Sequence, residues 1–249
     1  MIKNIKQKAW SFFNFKIGTN IGTSNSRNRE EWIERTLKKI PNGSKILDAG
    51  AGELQFKKYC NHLNYTSQDF AQYDGKGNDS GFQIGEWDNS KLDIVSDITS
   101  IPVDNESFDA IMCTEVIEHV PDPIGALNEL SRILKKNGFL LITAPFCSMT
   151  HFAPYHFCTG FNKYFYQNHL TRLGYEILEL EENGDFYNYL AQEVRRINFV
   201  SKKYLFRMPN ILDRVVQILM LRQLNKLSKN GHSSKELLCY GYHIFAVKK

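Results

Sequence analysis

The chain lacks several features that would assign it to common classes of protein. Its 249 residues contain no run of 18 apolar residues, which argues against a membrane-spanning helix. The apolar stretch near the N-terminus is too short for a secretory signal. The five cysteines are odd in number and include no C-x-x-C pair, so we expect reduced thiols rather than disulfides or a metal site. These absences favour a cytoplasmic globular protein.

Positive charge is concentrated at the two ends of the chain. The net charge is +4, but residues 1–40 carry nine Lys and Arg against three acids, and residues 200–249 carry ten against two. The middle is therefore acidic, whereas a nucleic-acid groove needs basic residues beside the site. We expect no nucleic-acid partner. The basic ends suit an anionic partner or a membrane surface, and a solvated helix face explains them equally well.

A glycine turn at residues 48–52 is the clearest local signal of a binding site. The apolar strand 45–49 runs into Asp48-Ala49-Gly50-Ala51-Gly52, and such a turn brings bare backbone close to a ligand at the carboxyl end of a parallel sheet. A dinucleotide fingerprint needs a third glycine, where this chain has Gln55. Asp48 would repel a pyrophosphate but suits an amino group or a sulfonium. No Walker phosphate loop is present.

Alternating apolar segments predict an α/β fold with a mostly parallel sheet. We expect helices at 28–40, 53–63, 123–134 and 162–173, and strands at 45–49, 65–70, 93–97, 107–113, 139–144, 175–180 and 242–247. The polar loop 71–90 is long enough to be a functional cover. The predicted organisation is a single domain made of an N-terminal helical segment at 1–40, a core at 43–184, a helical insertion at 185–238 and a last strand at 239–249.

Four motifs fall at the ends of successive predicted strands, where one ligand can touch them all. They are the glycine turn, Asp69, Asp97-Ile98 and Thr114-Glu115-Val116-Ile117-Glu118-His119-Val120. With Phe108-Asp109 and Leu134-Lys135-Lys136-Asn137-Gly138-Phe139, residues 43–180 resemble class I S-adenosylmethionine-dependent methyltransferases, in particular the branch with the EVxEHVPDP motif. Asn137 stands where that family usually has Gly or Pro. The resemblance implies a Rossmann-like, doubly wound, mostly parallel seven-stranded sheet with an antiparallel last strand.

The resemblance also implies the cofactor, S-adenosylmethionine, with S-adenosylhomocysteine as the product. Gly50 and Gly52 would let the backbone approach its methionine part, with Asp48 near the amino group. The remaining cofactor contacts would be Asp69 at the ribose hydroxyls, Asp97 and Ile98 at the adenine, Phe70 on the same ring and Glu115 beside the sulfonium. A helix cap is the alternative role for Asp69, and a core position is the alternative for Phe70.

Three histidines are candidates for activating the methyl acceptor. An alcohol must lose its proton when it is methylated, which favours a nearby general base. His119 follows the fourth strand, while His151 and His156 lie in the aromatic segment after the fifth strand, where Phe152 and Tyr155 would contact substrate. Each histidine has a purely structural role as its alternative. We expect no metal, because His151 and His156 have no Cys or carboxylate at ligand spacing.

These observations predict methyl transfer to an oxygen of a small or carbohydrate-type acceptor, as in a surface-polysaccharide or nucleotide-sugar pathway. N- or C-methylation, a lipid- or quinone-directed enzyme, and a catalytically silent cofactor-binding module stay open as alternatives. Residues 209–227 form an amphipathic segment with basic residues. It predicts packing onto the domain or in a homodimer, or peripheral contact with the inner membrane face.

Overall fold

A computed structural model describes residues 19–230 and 232–249. Residues 1–18 of the predicted N-terminal helical segment at 1–40 therefore lie outside the described residues. The chain divides into two compact units, of which one contains residues 26–183 and 239–249. The other contains residues 184–238 and the described residues before 26.

The larger unit contains a seven-stranded sheet with the order β3-β2-β1-β4-β5-β7-β6. Its strands are β1 (Lys45–Ala49), β2 (Asn64–Asp69), β3 (Ile94–Val95), β4 (Phe108–Thr114), β5 (Leu134–Pro145), β6 (Tyr175–Asn183) and β7 (Gly241–Lys248). β7 runs antiparallel to β5 and β6, and the described pairings among β1 to β5 are parallel. The predicted mostly parallel sheet with an antiparallel last strand is confirmed.

The central strands are apolar on both faces, which explains why the sheet is covered on both sides. Ile46 of β1 packs into a core cluster with Trp32 and Leu37 of α1 (Asn25–Leu37). Its neighbour Leu47 points to the opposite face, where it shares a cluster with Leu127 of α2 (Pro123–Ile133). Helix α3 (Lys163–Arg172) contributes to that second cluster. Because β1 to β5 run parallel, their carboxyl ends lie along one edge of this covered sheet.

One predicted helix is absent from the structure. The helix predicted near 53–63 is wrong, because the described chain there forms consecutive turns and a short 3-10 turn at Lys57–Tyr59. Leu54 has a φ of 62°, and Lys57, Cys60 and Leu63 each bond to a carbonyl three residues earlier. These turns bury Phe56, Cys60 and Leu63 as a helix would have done, which is why the apolar spacing misled.

Asn137 lies inside β5, since α2 ends at Ile133 and β5 begins at Leu134. Asn137 adopts a φ of 61° within an irregular part of β5, where the pairing with β4 shifts register. Asn tolerates this left-handed conformation better than most residues. The unusual residue of the motif therefore fits its backbone.

The smaller unit is helical, with α4 (Phe186–Leu205), α5 (Ile211–Ser228) and a 3-10 turn at His232–Glu236. Asp185 caps α4 by accepting the amide of Asn188, and Asn210 opens α5 with a capping box. The small core of this unit includes Ile21, Ala191, Val194, Leu221 and Leu224. Among the described residues, no helix is both long and apolar enough to cross a bilayer.

Candidate active site

The glycine turn has the backbone that the sequence predicts. Gly50 and Gly52 have φ values of 78° and 49°, a region that side chains disfavour. A Cβ on Gly50 would lie 2.3 Å from Val116 Cγ2, and one on Gly52 would lie 2.4 Å from Trp87 Cζ2. Both positions therefore need glycine, and a close approach by the methionine part of S-adenosylmethionine stays a prediction.

Asp69 joins the glycine turn to the end of β2. Its Oδ2 accepts the amide hydrogen of Gly52 at 3.0 Å, and its Oδ1 accepts that of Ala71 at 2.9 Å. No described helix begins at Asp69, so the predicted helix-cap alternative is wrong. Each carboxylate oxygen can accept a further hydrogen bond. Asp69 is therefore suited to the ribose hydroxyls, and that role stays a prediction.

Asp48 is buried beside the turn and accepts a hydrogen bond from the Tyr65 hydroxyl at 2.7 Å. Burial raises the pKa of Asp48 to about 7, although the Tyr65 hydrogen bond opposes the shift. In the sheet, Asp48 lies on the same face as Ile46. Sequence reasoning missed Tyr65, whose partnership with Asp48 depends on the pairing of β1 with β2.

The other predicted cofactor residues lie in three different settings. The exposed Asp97 accepts hydrogen bonds from the amide and hydroxyl of Thr99, at 2.8 and 2.7 Å. Ile98 is buried in the core. Phe70 packs edge-to-face on Tyr155 with the ring centroids 5.0 Å apart. The adenine contacts of Asp97, Ile98 and Phe70 stay predictions.

The three predicted histidines lie together, although they come from two separate loops. The ring centroids of His119 and His151 are 4.6 Å apart, as are those of His151 and His156. Phe152 stacks on His119 with centroids 5.1 Å apart and planes 18° apart. The Tyr155 carbonyl lies 2.5 Å from His119 Nδ1. The predicted acceptor side of the site is therefore one continuous cluster.

Burial sets the protonation of this cluster. The pKa of His119 falls to about 3 because the ring is buried and His151 lies beside it. The same two causes lower the pKa of His156, whose Nε2 lies 3.1 Å from the Ser148 hydroxyl. His119 and His156 are therefore neutral at pH 7, with imidazole nitrogens that can accept hydrogen bonds.

Two glutamates of the segment after β4 have very different environments. Glu115 has a φ of 54°; its Oε1 accepts the Thr143 hydroxyl at 3.0 Å and its Oε2 pairs with Arg29 at 2.7 Å. Glu118 is fully buried, and burial and the nearby Glu115 raise its pKa well above the usual range. Sequence reasoning missed Arg29 as a partner, since only the fold brings α1 to this edge.

A cover formed by residues 71–93 lies against residues 146–158, which carry His151 and His156 and which we term the histidine loop; the length of the predicted loop 71–90 suggested such a cover. The Phe82 amide donates to the Thr150 carbonyl at 2.9 Å, and the Phe152 amide donates to the Phe82 carbonyl at 3.0 Å. Tyr73 stacks on Phe152 at 4.6 Å, and Trp87 contacts both rings at 5.7 Å. Sequence reasoning did not identify Tyr73 and Trp87, which place an aromatic lining above the glycine turn.

Comparisons with known proteins agree with this architecture. Residues 25–208 match a family model described as a methyltransferase domain. A ubiquinone biosynthesis O-methyltransferase from Actinobacillus pleuropneumoniae is 30% identical over 108 residues, which are 41% of this chain and 45% of that protein. The uncharacterized protein MJ0638 of Methanocaldococcus jannaschii is 41% identical over 114 residues, 45% of this chain and 46% of that protein. The chain thus spans less than half the length of these relatives.

Solved structures share the fold at low sequence identity. A SAM-dependent methyltransferase from Archaeoglobus fulgidus has a TM-score of 0.52 and 16% identity, covering 88% of this chain and 94% of its own. Phosphoethanolamine N-methyltransferase 2 of Haemonchus contortus, in complex with S-adenosyl-L-methionine, has a TM-score of 0.51 and 15% identity. The match covers 89% of this chain and 52% of that protein's chain. The family match, which spans most of the chain, shows that this protein belongs to the class I S-adenosylmethionine-dependent methyltransferases.

Proposed function

We propose that this protein transfers a methyl group from S-adenosylmethionine to a hydroxyl oxygen of a small acceptor that carries a hydroxylated ring. The observation that carries the proposal is the position of the histidine cluster. Val116 contacts Gly50 of the glycine turn, and His119 follows Val116 in the same short segment. The cofactor turn and the histidines therefore belong to one site.

The chemistry asks mainly for placement and for removal of one proton. S-adenosylmethionine supplies a methyl group that its sulfonium already activates, so in-line positioning of the acceptor provides much of the catalysis. The acceptor hydroxyl loses its proton as the new O–C bond forms. Because His119 donates from Nδ1 to the Tyr155 carbonyl, its Nε2 carries the lone pair that can orient this hydroxyl.

The walls of the site favour an acceptor with a flat or cyclic body. Two ring pairs line the cover and the histidine loop: Phe70 packs on Tyr155, and Tyr73 packs on Phe152. Such rings stack on the face of a sugar or a phenol, while imidazole nitrogens bind its hydroxyls. The named activity of the ubiquinone-biosynthesis relatives supports an oxygen acceptor. A carbohydrate and a phenolic ring are the two acceptor classes that we propose.

A transfer assay on the full chain tests this proposal with nucleotide sugars and catechols as acceptors and S-adenosylhomocysteine release as the readout. We expect at least one of His119→Ala, His151→Ala and His156→Ala to lower kcat by about 10²-fold or more, while cofactor affinity is retained. His169→Ala is the matched control, since His169 lies on α3. Unchanged transfer in all three variants would contradict a catalytic role. Cofactor binding without transfer to any acceptor would instead favour a silent binding module.

The smaller unit supports a second candidate, an acceptor held at a membrane. Residues 197–229, which we term the helical tip, expose a large apolar surface that includes Leu205, Phe206, Met208, Ile211, Leu212, Val215, Val216 and Leu219. Phe206 is 92% exposed. The helical tip carries seven Lys and Arg and only one acid, Asp213. Apolar residues among basic ones suit an anionic bilayer surface. We therefore propose a cytoplasmic protein that contacts the inner membrane face peripherally.

Vesicle co-sedimentation tests this membrane contact. We expect the full chain to bind vesicles that contain phosphatidylglycerol more strongly than vesicles of phosphatidylcholine alone, and added salt to weaken binding. The double variant Phe206→Ser/Leu212→Ser should lose most of the bound fraction, whereas Leu237→Ser, at an exposed residue outside the helical tip, should not. A dimer in solution that the double variant dissociates would assign this surface to a homodimer instead.

A further inference from the structure

The histidine cluster contains a buried carboxylate that the proposed methyl transfer leaves without a role. Glu118 is 0% exposed, and among the described residues neither of its carboxylate oxygens has a hydrogen-bond partner. Its Oε1 lies 3.7 Å from His119 Nε2, beyond hydrogen-bond distance. A buried carboxylate without partners is costly. The fold therefore holds an acidic group that a proton or a bound cation must compensate.

The geometry around Glu118 suits a metal ion. Glu118, His119 and His151 can each offer one ligand atom, and these three atoms lie within 4.8 Å of one another. Zinc binds nitrogen and oxygen ligands at about 2.0–2.2 Å, so ligand atoms around one ion lie roughly 3–4 Å apart. The observed separations exceed that spacing by about 1 Å at most.

Both histidines are oriented as metal ligands usually are. His119 Nδ1 lies 2.5 Å from the Tyr155 carbonyl, and His151 Nδ1 lies 2.9 Å from the Met149 carbonyl. Metal-binding histidines generally donate their other ring N–H to a carbonyl or carboxylate, which fixes the tautomer. In the neutral ring this leaves Nε2 as the unprotonated nitrogen for each of the two side chains.

We propose that Glu118, His119 and His151 bind one divalent transition-metal ion of the zinc class. Two imidazoles and one carboxylate are a ligand set of metal sites that keep an open coordination position. In the sequence, His151 and His156 have no carboxylate at ligand spacing, whereas the fold brings Glu118 and His119 to His151. If the proposed transfer is correct, the open position takes the acceptor hydroxyl and lowers its pKa, and this contact with the metal replaces the direct contact of the hydroxyl with His119 Nε2. That role rests on the proposed function, and metal binding itself does not.

Titration of the full chain with ZnCl2 after chelator treatment tests the site. We expect one equivalent of zinc per chain, and visible absorption of bound Co²⁺ as an independent signature. Glu118→Gln keeps the shape of the buried side chain, and His151→Ala changes a partly exposed loop residue. Each should weaken zinc affinity by about tenfold or more, while the matched control His169→Ala should bind as the wild type does.

The outcome distinguishes the metal site from the proposed methyl transfer, because the titration contains neither S-adenosylmethionine nor an acceptor. Absence of zinc and cobalt binding by the wild-type chain would overturn the inference. Binding that both Glu118→Gln and His151→Ala leave unchanged would overturn it as well, since another surface would then hold the ion. Circular dichroism of each variant checks that a lost affinity does not reflect unfolding.

Discussion

Asp69 Oδ2 accepts the amide hydrogen of Gly52 at 3.0 Å. This bond links the carboxylate predicted to bind ribose to the turn predicted to bind the methionine part of the cofactor. The Gly50 and Ala51 amides also donate to the Gln68 carbonyl, the residue before Asp69. The ends of β1 and β2 are therefore fixed to each other, and both ends of the proposed cofactor site are preorganised together.

Replacement of Asp69 tests this arrangement. Asp69→Asn keeps the size of the side chain but removes its charge and one acceptor oxygen. We expect the Kd for S-adenosylmethionine to rise about tenfold or more, which corresponds to about 1.4 kcal/mol. Calorimetric titration measures the change, with Asp104→Asn in an exposed loop as the matched control. Equal affinities in the two variants would argue against a cofactor role for Asp69.

Trp87 provides an optical readout of the same site. Its Cζ2 lies 2.4 Å from the position that a Cβ of Gly52 would take, and its ring contacts Tyr73 and Phe152. Because the cofactor is proposed to approach the backbone of Gly52, its binding should change the environment of Trp87. We expect a change in tryptophan emission on addition of S-adenosylmethionine that Trp87→Phe largely removes. Retention of the full change in that variant would place the perturbed tryptophan elsewhere.

The buried Asp48 predicts a pH dependence of stability. Its pKa is raised from 3.8 to about 7 by burial, so the folded protein keeps a proton that the unfolded chain releases. The contribution of Asp48 to the free energy of unfolding therefore falls as pH rises from about 4 to about 7. Asp48→Asn has no carboxyl group to titrate, so its free energy of unfolding should not show this fall. We expect the difference in free energy of unfolding between the variant and the wild type to shift by about 1–3 kcal/mol in favour of the variant from pH 5 to pH 8. Urea unfolding at both pH values measures it, and no change would contradict the assignment.

His243 predicts the opposite dependence. It is buried beside Trp32 with ring centroids 5.1 Å apart, and burial, Arg29 and Arg35 lower its pKa to about 3. Below about pH 6.5 the unfolded chain gains a proton that the folded protein excludes, so stability falls as pH decreases. We expect His243→Phe to reduce this fall by about 1 kcal/mol per pH unit between pH 6 and pH 5. An identical slope in the variant and the wild type would contradict a neutral buried His243.

The sheet and its binding edge were predictable because both are encoded locally. Adjacent apolar residues such as Ile46 and Leu47 cover both faces of a buried strand. The two glycines after them are typical of a tight turn that brings the backbone close to a ligand. The failed helix at 53–63 shows the limit of this reasoning. Phe56, Cys60 and Leu63 have a spacing that a helix or successive turns can satisfy, and the left-handed Leu54 decides for turns.

The interior of the site was less predictable because its contacts join distant segments. Trp87 reaches Gly52 from the middle of a long loop, and Arg29 reaches Glu115 from α1. The burial of Glu118 depends on how the histidine loop packs over the end of β4. The backbone carbonyl of Glu118 accepts the amide hydrogens of Phe157 and Cys158. The spacing of apolar residues along the chain does not predict such contacts.

Calorimetric titration of the full chain with S-adenosylmethionine, and separately with NAD⁺, is the sharpest test of the cofactor site. The glycine turn without a third glycine, with Asp48 and Asp69 beside it, predicts one binding site for S-adenosylmethionine and none for NAD⁺. Gly52→Val should abolish that binding, because its side chain would occupy the space of the Trp87 ring. Binding of NAD⁺ without binding of S-adenosylmethionine would contradict this assignment.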